Sequence, residues 1–263
     1  MRGFDPTTYG EAFADVYDDW YGDVSDVEAT VARVASLAGP GGRVLELGVG
    51  TGRLAVPMAE AGLEVTGIDS SAAMLDRLAA RPGGTAVRAV CGDMATDLPD
   101  GPFDVTLVAY NTIFNLLDDG AQERCFAAVA ERLRPGGAFV VEAFVPEEGA
   151  PSGDRRARPA SVVGVRSLAA DRVVLSISRT DSVAQRAEGQ FVELTEAGGV
   201  RLRPWSIRWR TPAELDDIAA AAGFTMEART ADMEGTSFGP DSEQHVTVYR
   251  RVSSGEPATG TGV

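Results

Sequence analysis

The sequence predicts an α/β fold in which a mostly parallel sheet is wound by helices and a small antiparallel sheet is inserted late in the chain. Three observations predict it. Between residues 43 and 143, short apolar runs ending in acidic or polar residues alternate with helical apolar patterns, the order that builds βαβ units. The first run, Arg43 to Leu47, enters a loop with glycines at 48, 50 and 52, after which a helical pattern begins. From 161 to 210 the period changes to strand-like alternation broken by turn residues.

Composition sets the bounds. With 263 residues, 44% of them hydrophobic, the chain can bury a full core as one large domain or one domain with an insertion. No long apolar run and no signal-peptide pattern occurs, so a soluble cytoplasmic protein is expected. Cys91 and Cys125 fit neither a disulfide framework nor a CxxC metal site and are read as core thiols. A single histidine, His245, speaks against a protein-built zinc site, so no metal is expected. All 24 basic residues are arginine, which excludes Schiff-base chemistry and a P-loop lysine and hints at a GC-rich bacterial genome. A net charge of −15 repels nucleic acid phosphates and leaves small neutral or cationic molecules as the partners to expect.

The N-terminus, residues 1–40, reads as a helical cap or lid. Phe13, Val16, Tyr17 and Trp20 fall at helical spacing, and Tyr9 and Tyr21 add aromatic surface over the core or over a ligand. Val27, Val31, Val34 and Ala38 mark a second helix, stopped at Gly39.

The glycine loop is a nucleotide-sized docking surface, because glycine brings backbone N–H groups close to a ligand and the next helix adds its positive end. That helix, Leu54 to Ala61, contains Pro57, which should strain it. The second strand, Glu64 to Asp69, delivers an acid 19 residues beyond Gly50, the spacing at which a strand-end carboxylate accepts both ribose hydroxyls. Ser70 or Ser71 can cap the helix bearing Met74, Leu75 and Leu78. A third strand, Ala86 to Cys91, ends in Gly92-Asp93-Met94, where a carboxylate can accept from an adenine amino group while the thioether packs its ring. The fourth, Asp104 to Ala109, brings Tyr110, Asn111 and Asn115 to the same edge. Cys125, Phe126, Val129 and Leu133 mark the next helix, and Ala138 to Ala143 a fifth strand. All these polar residues map to the carboxyl edge, where doubly wound sheets bind ligands.

Together, Glu46-Leu-Gly-Val-Gly-Thr-Gly52, Asp69, Gly92-Asp93-Met94 and Leu133-Arg-Pro-Gly-Gly137 resemble the successive motifs of class I S-adenosylmethionine-dependent methyltransferases, from about residue 40 to 145. The resemblance implies a Rossmann-like seven-stranded sheet whose last strand, His245 to Arg250, is antiparallel. It implies S-adenosylmethionine as cofactor, with Glu46, Gly48, Gly50 and Gly52 at the methionine end, Asp69 at the ribose and Asp93 with Met94 at the adenine. Ser70, Met74 and Tyr110 are read as further cofactor contacts. The binding body then comprises 41–148 and 211–252. A nicotinamide dehydrogenase competes: a GxGxxG pattern begun at Gly48 fails at Arg53, but one begun at Gly50 reaches the permitted Ala55. Asp93-Met94 and the closing strand favour the methyltransferase.

Residues 149–210 read as the inserted antiparallel sheet, for substrate recognition or dimer contact, with a linker at Gly149 to Asp154. Val173, Leu175 and Ile177 share one face, and a parity switch at Pro204 suggests a bulge. Gln190, Glu193, Trp205 and Trp209 are its candidate substrate contacts, joined by Tyr21 and Asn111. Thr211-Pro-Ala-Glu214 is a capping box opening a helix that Gly223 stops, and 253–263 reads as a disordered tail.

The Tyr9 and Tyr17 spacing, the insertion and the Ile207 to Phe224 segment are similar to bacterial amino-sugar N-methyltransferases of natural-product pathways. There a tyrosine matching Tyr9 lies near the transferring methyl and a histidine follows the fourth strand. This chain has Asn115 at that histidine position. Tyr9, Tyr17 and Asn115 are therefore the candidate catalytic residues. With no lysine and no evident histidine base, an amine acceptor is favoured slightly over oxygen or carbon, since a neutral amine attacks without deprotonation. A methyltransferase-fold cyclase or a non-catalytic binder remains the alternative class, and the chain is expected to be a monomer or homodimer.

Overall fold

Strand β1 (Arg43–Leu47) is buried on both faces from Val44 onward because it lies inside the sheet. It pairs in parallel with β2 (Glu64–Asp69) on one side and β4 (Phe103–Val108) on the other. β3 (Arg88–Cys91) extends the β2 edge, and β5 (Leu133–Phe144) lies parallel to β4. Two later strands, β10 (Phe224–Thr230) and β11 (Gln244–Arg251), are antiparallel, giving a seven-stranded sheet of order β10-β11-β5-β4-β1-β2-β3. A four-stranded antiparallel sheet of β6 (Ala160–Leu168), β7 (Arg172–Asp181), β8 (Arg186–Thr195) and β9 (Val200–Arg208) stands beside it. The computed structural model describes residues 1–146 and 160–252; the expected linker at 149–154 and tail at 253–263 lie outside them. Among the described residues no helix is long and apolar enough to cross a membrane.

Helices cover both faces of the large sheet. α6 (Ala121–Arg132) and α7 (Pro212–Ala221) pack Phe126, Val129, Leu215 and Ala219 against Phe139, Phe224 and Tyr249. α3 (Val27–Ala38) and α4 (Ala55–Glu60) bury Val34, Val56 and Met58 against Val44, Val105 and Val140. Asp26 caps α3 by accepting from the Ala29 N–H at 2.9 Å. At α7 the capping box forms in full, Thr211 and Glu214 each bonding the other's backbone.

Several expectations are corrected. The aromatic N-terminal pattern forms two short helices, α1 (Thr8–Phe13) and α2 (Tyr17–Tyr21), broken at Ala14–Val16. Pro57 strains nothing, because it lies in the first turn of a six-residue helix, where its missing N–H has no intrahelical partner to lose. β3 begins two residues later than expected, after a 3-10 turn at Gly84–Ala86. Cys125 is buried, but Cys91 is exposed on the edge strand β3. Pro204 makes no bulge: β8 and β9 pair without interruption from Arg186 with Arg208 to Leu194 with Val200, and β9 is an edge strand that can spare an N–H. The bulge lies instead on the opposite edge strand, between Val165 and Ser167.

Candidate active site

A cavity of about 1150 Å³, mouth included, opens at the carboxyl ends of β1, β2 and β3 beneath the N-terminal segment. Its wall collects Gly48, Gly50, Asp69, Ser70, Met74, Asp93 and Met94 with Tyr9, Tyr17 and Asn115. Phe4 to Pro6 close one side, and Leu116, Leu117, Asp118 and Arg124 the other.

The glycine loop is shaped by what crowds it. At Gly48, φ is +66° and an added Cβ would lie 2.3 Å from the Thr112 methyl, whereas at Gly50 it would meet nothing nearer than 3.9 Å. The loop therefore packs against the protein at one glycine and is open at the next. Gly52 faces Leu78 and does not line the cavity; its role is to let the loop seat on α5 (Ala72–Ala80).

Asp69 locks this geometry. Its Oδ2 accepts from the Gly50 N–H at 2.9 Å and its Oδ1 from the Ser71 N–H at 2.9 Å. Burial raises its pKa, with these N–H groups opposing the rise. Ser71 rather than Ser70 caps α5, accepting from Met74 N–H, while Ser70 bonds the Pro6 carbonyl of the N-terminal segment. Asp93 accepts from the Ala95 N–H at 2.7 Å. Asp69 and Asp93 face the same cavity, as a nucleoside-shaped ligand requires.

Glu46 lies behind the loop, 4% exposed, and its Oε2 has no hydrogen-bond partner. Burial pushes its pKa up to about 8, with Arg53 opposing and Asp69 adding to the rise. An orphaned carboxylate oxygen next to the glycine turn is a place for a cationic group.

Tyr110 and Asn111 do not reach this cavity. They line a separate recess with Glu142, Ala143, Phe144, Glu243 and Gln244. Both hold positive φ, +47° and +65°, a strained conformation for residues with a Cβ. Glu142, unmarked in the sequence reading, sustains it: Oε2 accepts from Tyr110 N–H at 3.0 Å and its carbonyl from Asn111 N–H at 3.1 Å. The Asn111 Oδ1 accepts from Phe144 N–H, so that side chain is committed to the backbone. A lone acid within the otherwise apolar run Phe139–Phe144 was the signal that could have found Glu142.

The inserted-sheet candidates do not line the main cavity either. Gln190 meets Met1, Trp205 lies over Gly189, and Trp209 packs against the main core. Glu193 is held by Arg172 and Arg203. Tyr21 also stays outside, between Tyr17 and Tyr110 at ring separations of 5.1 and 6.1 Å.

What the sheet does contribute is Arg203, 1% exposed. Its guanidinium makes five donor contacts, to Glu193, to both oxygens of Asp15 and to the Ala12 carbonyl. Asp15 and Ala12 belong to the N-terminal segment that carries Tyr9 and Tyr17. Beside it, the bulge in β6 aims Arg166 at Trp20, Tyr21 and Phe191, 4.7 to 5.3 Å from their ring centres. Arg203 and its alternate neighbour Arg201 both reach Asp15, whereas Leu202 between them points the other way and is 55% exposed.

Comparison with known proteins agrees with this geometry. A family model described as a methyltransferase domain matches residues 44–137. The chain is 30% identical to the cypemycin N-terminal methyltransferase of a Streptomyces species over 251 residues, covering 94% of this chain and 99% of that protein. The chain is an S-adenosylmethionine-dependent methyltransferase. This methyltransferase superimposes on the CcbJ methyltransferase from Streptomyces caelestis with a TM-score of 0.82 and 41% identity, over 95% of this chain and 100% of that one. It shares its fold with a SAM-bound amino pentose methyltransferase from Micromonospora echinaspora, with a TM-score of 0.59 and 22% identity over 95% and 93% of the two chains. S-adenosylmethionine is accordingly its cofactor, and the open Gly50, the paired strand-end acids and the orphaned Glu46 oxygen fit that group.

Proposed function

We propose that this methyltransferase moves a methyl group from S-adenosylmethionine to an amine nitrogen of a small natural-product intermediate. Glu46 and the backbone of Gly48 and Gly50 would hold the methionine end, Asp69 the ribose, and Asp93 with Met94 the adenine. The cofactor supplies a methyl group made electrophilic by its sulfonium. The protein's own task is to align the acceptor and exclude water.

One observation carries the amine reading: the tyrosines that line the cavity are not bases at neutral pH. Burial raises the Tyr9 phenol well above its ordinary range and pushes Tyr17 up to about 12. His245 lies buried within β11, its Nδ1 2.8 Å from Thr247 Oγ1, and lines neither cavity. An amine that attacks in its neutral form needs no such base. The names of the cypemycin N-terminal and amino pentose methyltransferases support nitrogen as the acceptor atom.

The test is turnover on paired acceptors differing only in an amine or a hydroxyl, read by mass and by the position of the new methyl. Tyr9→Phe and Tyr17→Phe are expected to keep turnover of the amine within about tenfold, whereas loss of a general base costs roughly 10²–10⁴-fold. Methylation of the hydroxyl acceptor alone, or collapse in both phenylalanine variants, would refute the amine reading. An isomerised product without mass gain would instead indicate a cyclase.

A further inference from the structure

The four-stranded sheet is built inside out for a sheet that meets water. One face carries Phe191, Glu193 and Arg203, and these pack against the N-terminal segment. The other face carries two continuous apolar rows, Val165–Leu175–Val192–Leu202 and Leu168–Val173–Leu194–Val200, each crossing all four strands. An antiparallel sheet with one solvated face places polar side chains on that face. Here the buried guanidinium is inside and the aliphatic rows are outside.

These rows are open. Val165, Leu168, Leu194, Val200 and Leu202 are between 38% and 77% exposed, and Val163 and Ile177 extend the patch. Together the seven expose on the order of 600 Å², main chain included, at the top of the ~300–600 Å² range of the largest patch on an ordinary monomer and approaching the ~800 Å² per partner of a stable complex.

We propose that this face is where two copies of the chain associate, sheet on sheet, about a two-fold axis. Three features favour a second copy over another occupant. The two rows contain no charged side chain, so they offer no electrostatic signature for a different partner to complement. A flat aliphatic face is complementary to itself, which a two-fold contact requires, because each row meets its symmetry mate. Stacked sheets sit about 10 Å apart with their side chains interdigitated, so the half-buried Val173, Leu175 and Val192 would be sealed along with their neighbours.

No residue of the two rows lines the catalytic cavity. The same strands clasp the N-terminal segment on their other side, so a dimer would brace the platform on which Tyr9 and Tyr17 are held.

Light scattering on the full chain at micromolar concentrations measures the mass directly. The wild type is expected at twice the 27.6 kDa monomer, and a Val165→Glu/Leu202→Glu variant at the monomer mass with its S-adenosylmethionine-induced melting shift intact. Should that variant fail to fold, Val200→Thr/Leu202→Thr keeps strand propensity and is expected to raise the dimer dissociation constant at least tenfold. Met226→Glu, on the exposed β10 edge of the other sheet, should leave the dimer unchanged. A wild type that is monomeric throughout overturns the proposal, including the case in which residues 147–159 or another protein cover the face. So does a dimer that survives both row variants or is split by Met226→Glu.

Discussion

Asp69 accepts two backbone N–H groups, one from the glycine loop and one from the start of α5, so it holds the loop closed as well as facing the cavity. Asp69→Ala should weaken S-adenosylmethionine binding by about 2 kcal/mol or more, roughly 30-fold, measured by calorimetry on protein shown to be folded. An unchanged affinity would remove Asp69 from the site. Glu46 makes a pH-dependent statement. Its folded pKa of about 8 exceeds the ordinary 4.5, so its contribution to stability is full below pH 4.5 and lost as pH rises towards 8. His245 works in the other direction: burial lowers its pKa to about 4, so its contribution is present above pH 6.5 and lost as pH falls through 4. Melting curves of the cofactor-free protein should therefore weaken on both sides, and Glu46→Gln should flatten the alkaline limb alone. Binding a cation beside Glu46 should also expel about one proton near pH 6.5, visible as a buffer-dependent heat that Glu46→Gln abolishes.

At the scale of elements, the N-terminal segment is held at both ends of its path. Gly10 of α1 comes so close to α5 that an added Cβ would lie 2.3 Å from the Ser71 Cβ, and Glu11 Oε1 accepts from the Ser71 hydroxyl at 2.9 Å. On its other side Arg203 binds Asp15 and Ala12. Arg203→Ala removes all five donor contacts but leaves Asp15 paired with Arg201 and Glu193 with Arg172, so it should cost about 1.5–3 kcal/mol, the range for hydrogen bonds to charged groups. Limited proteolysis should show new cleavage within residues 1–25 while the large sheet stays intact; an unchanged digestion pattern would show that the segment is held without Arg203. Arg203→Lys should rescue only in part, because an ammonium cannot offer the same planar fork of donors.

For the whole molecule, cofactor binding and fold stability are one equilibrium. At a ligand concentration about 100 times the dissociation constant, S-adenosylmethionine should add roughly 2.7 kcal/mol and raise the melting temperature by about 5–10 °C. The Asp69→Ala variant should show little of this shift at the same concentration, and a shift equal to wild type would count against the cavity as the binding site.

The large sheet and the cofactor cleft were legible in the sequence because they depend on short-range rules. Strands buried on both faces read as apolar runs, a tight turn at a strand end demands glycine, and strand-end acids follow at set spacings, so Asp69 and Asp93 could be named from residue order, and Glu46 from the family resemblance. What lay beyond it was every contact between segments far apart in the chain. Alternation in β9 defines two faces without saying which is inside, and Asp15, 188 residues away, holds Arg203 on the inner one. Glu142 was hidden for the same reason: its partners are the strained backbone of Tyr110 and Asn111, which only the neighbouring strand brings within reach. Local periodicity fixes which side chains share a face, and only the packing of distant segments determines which face is buried.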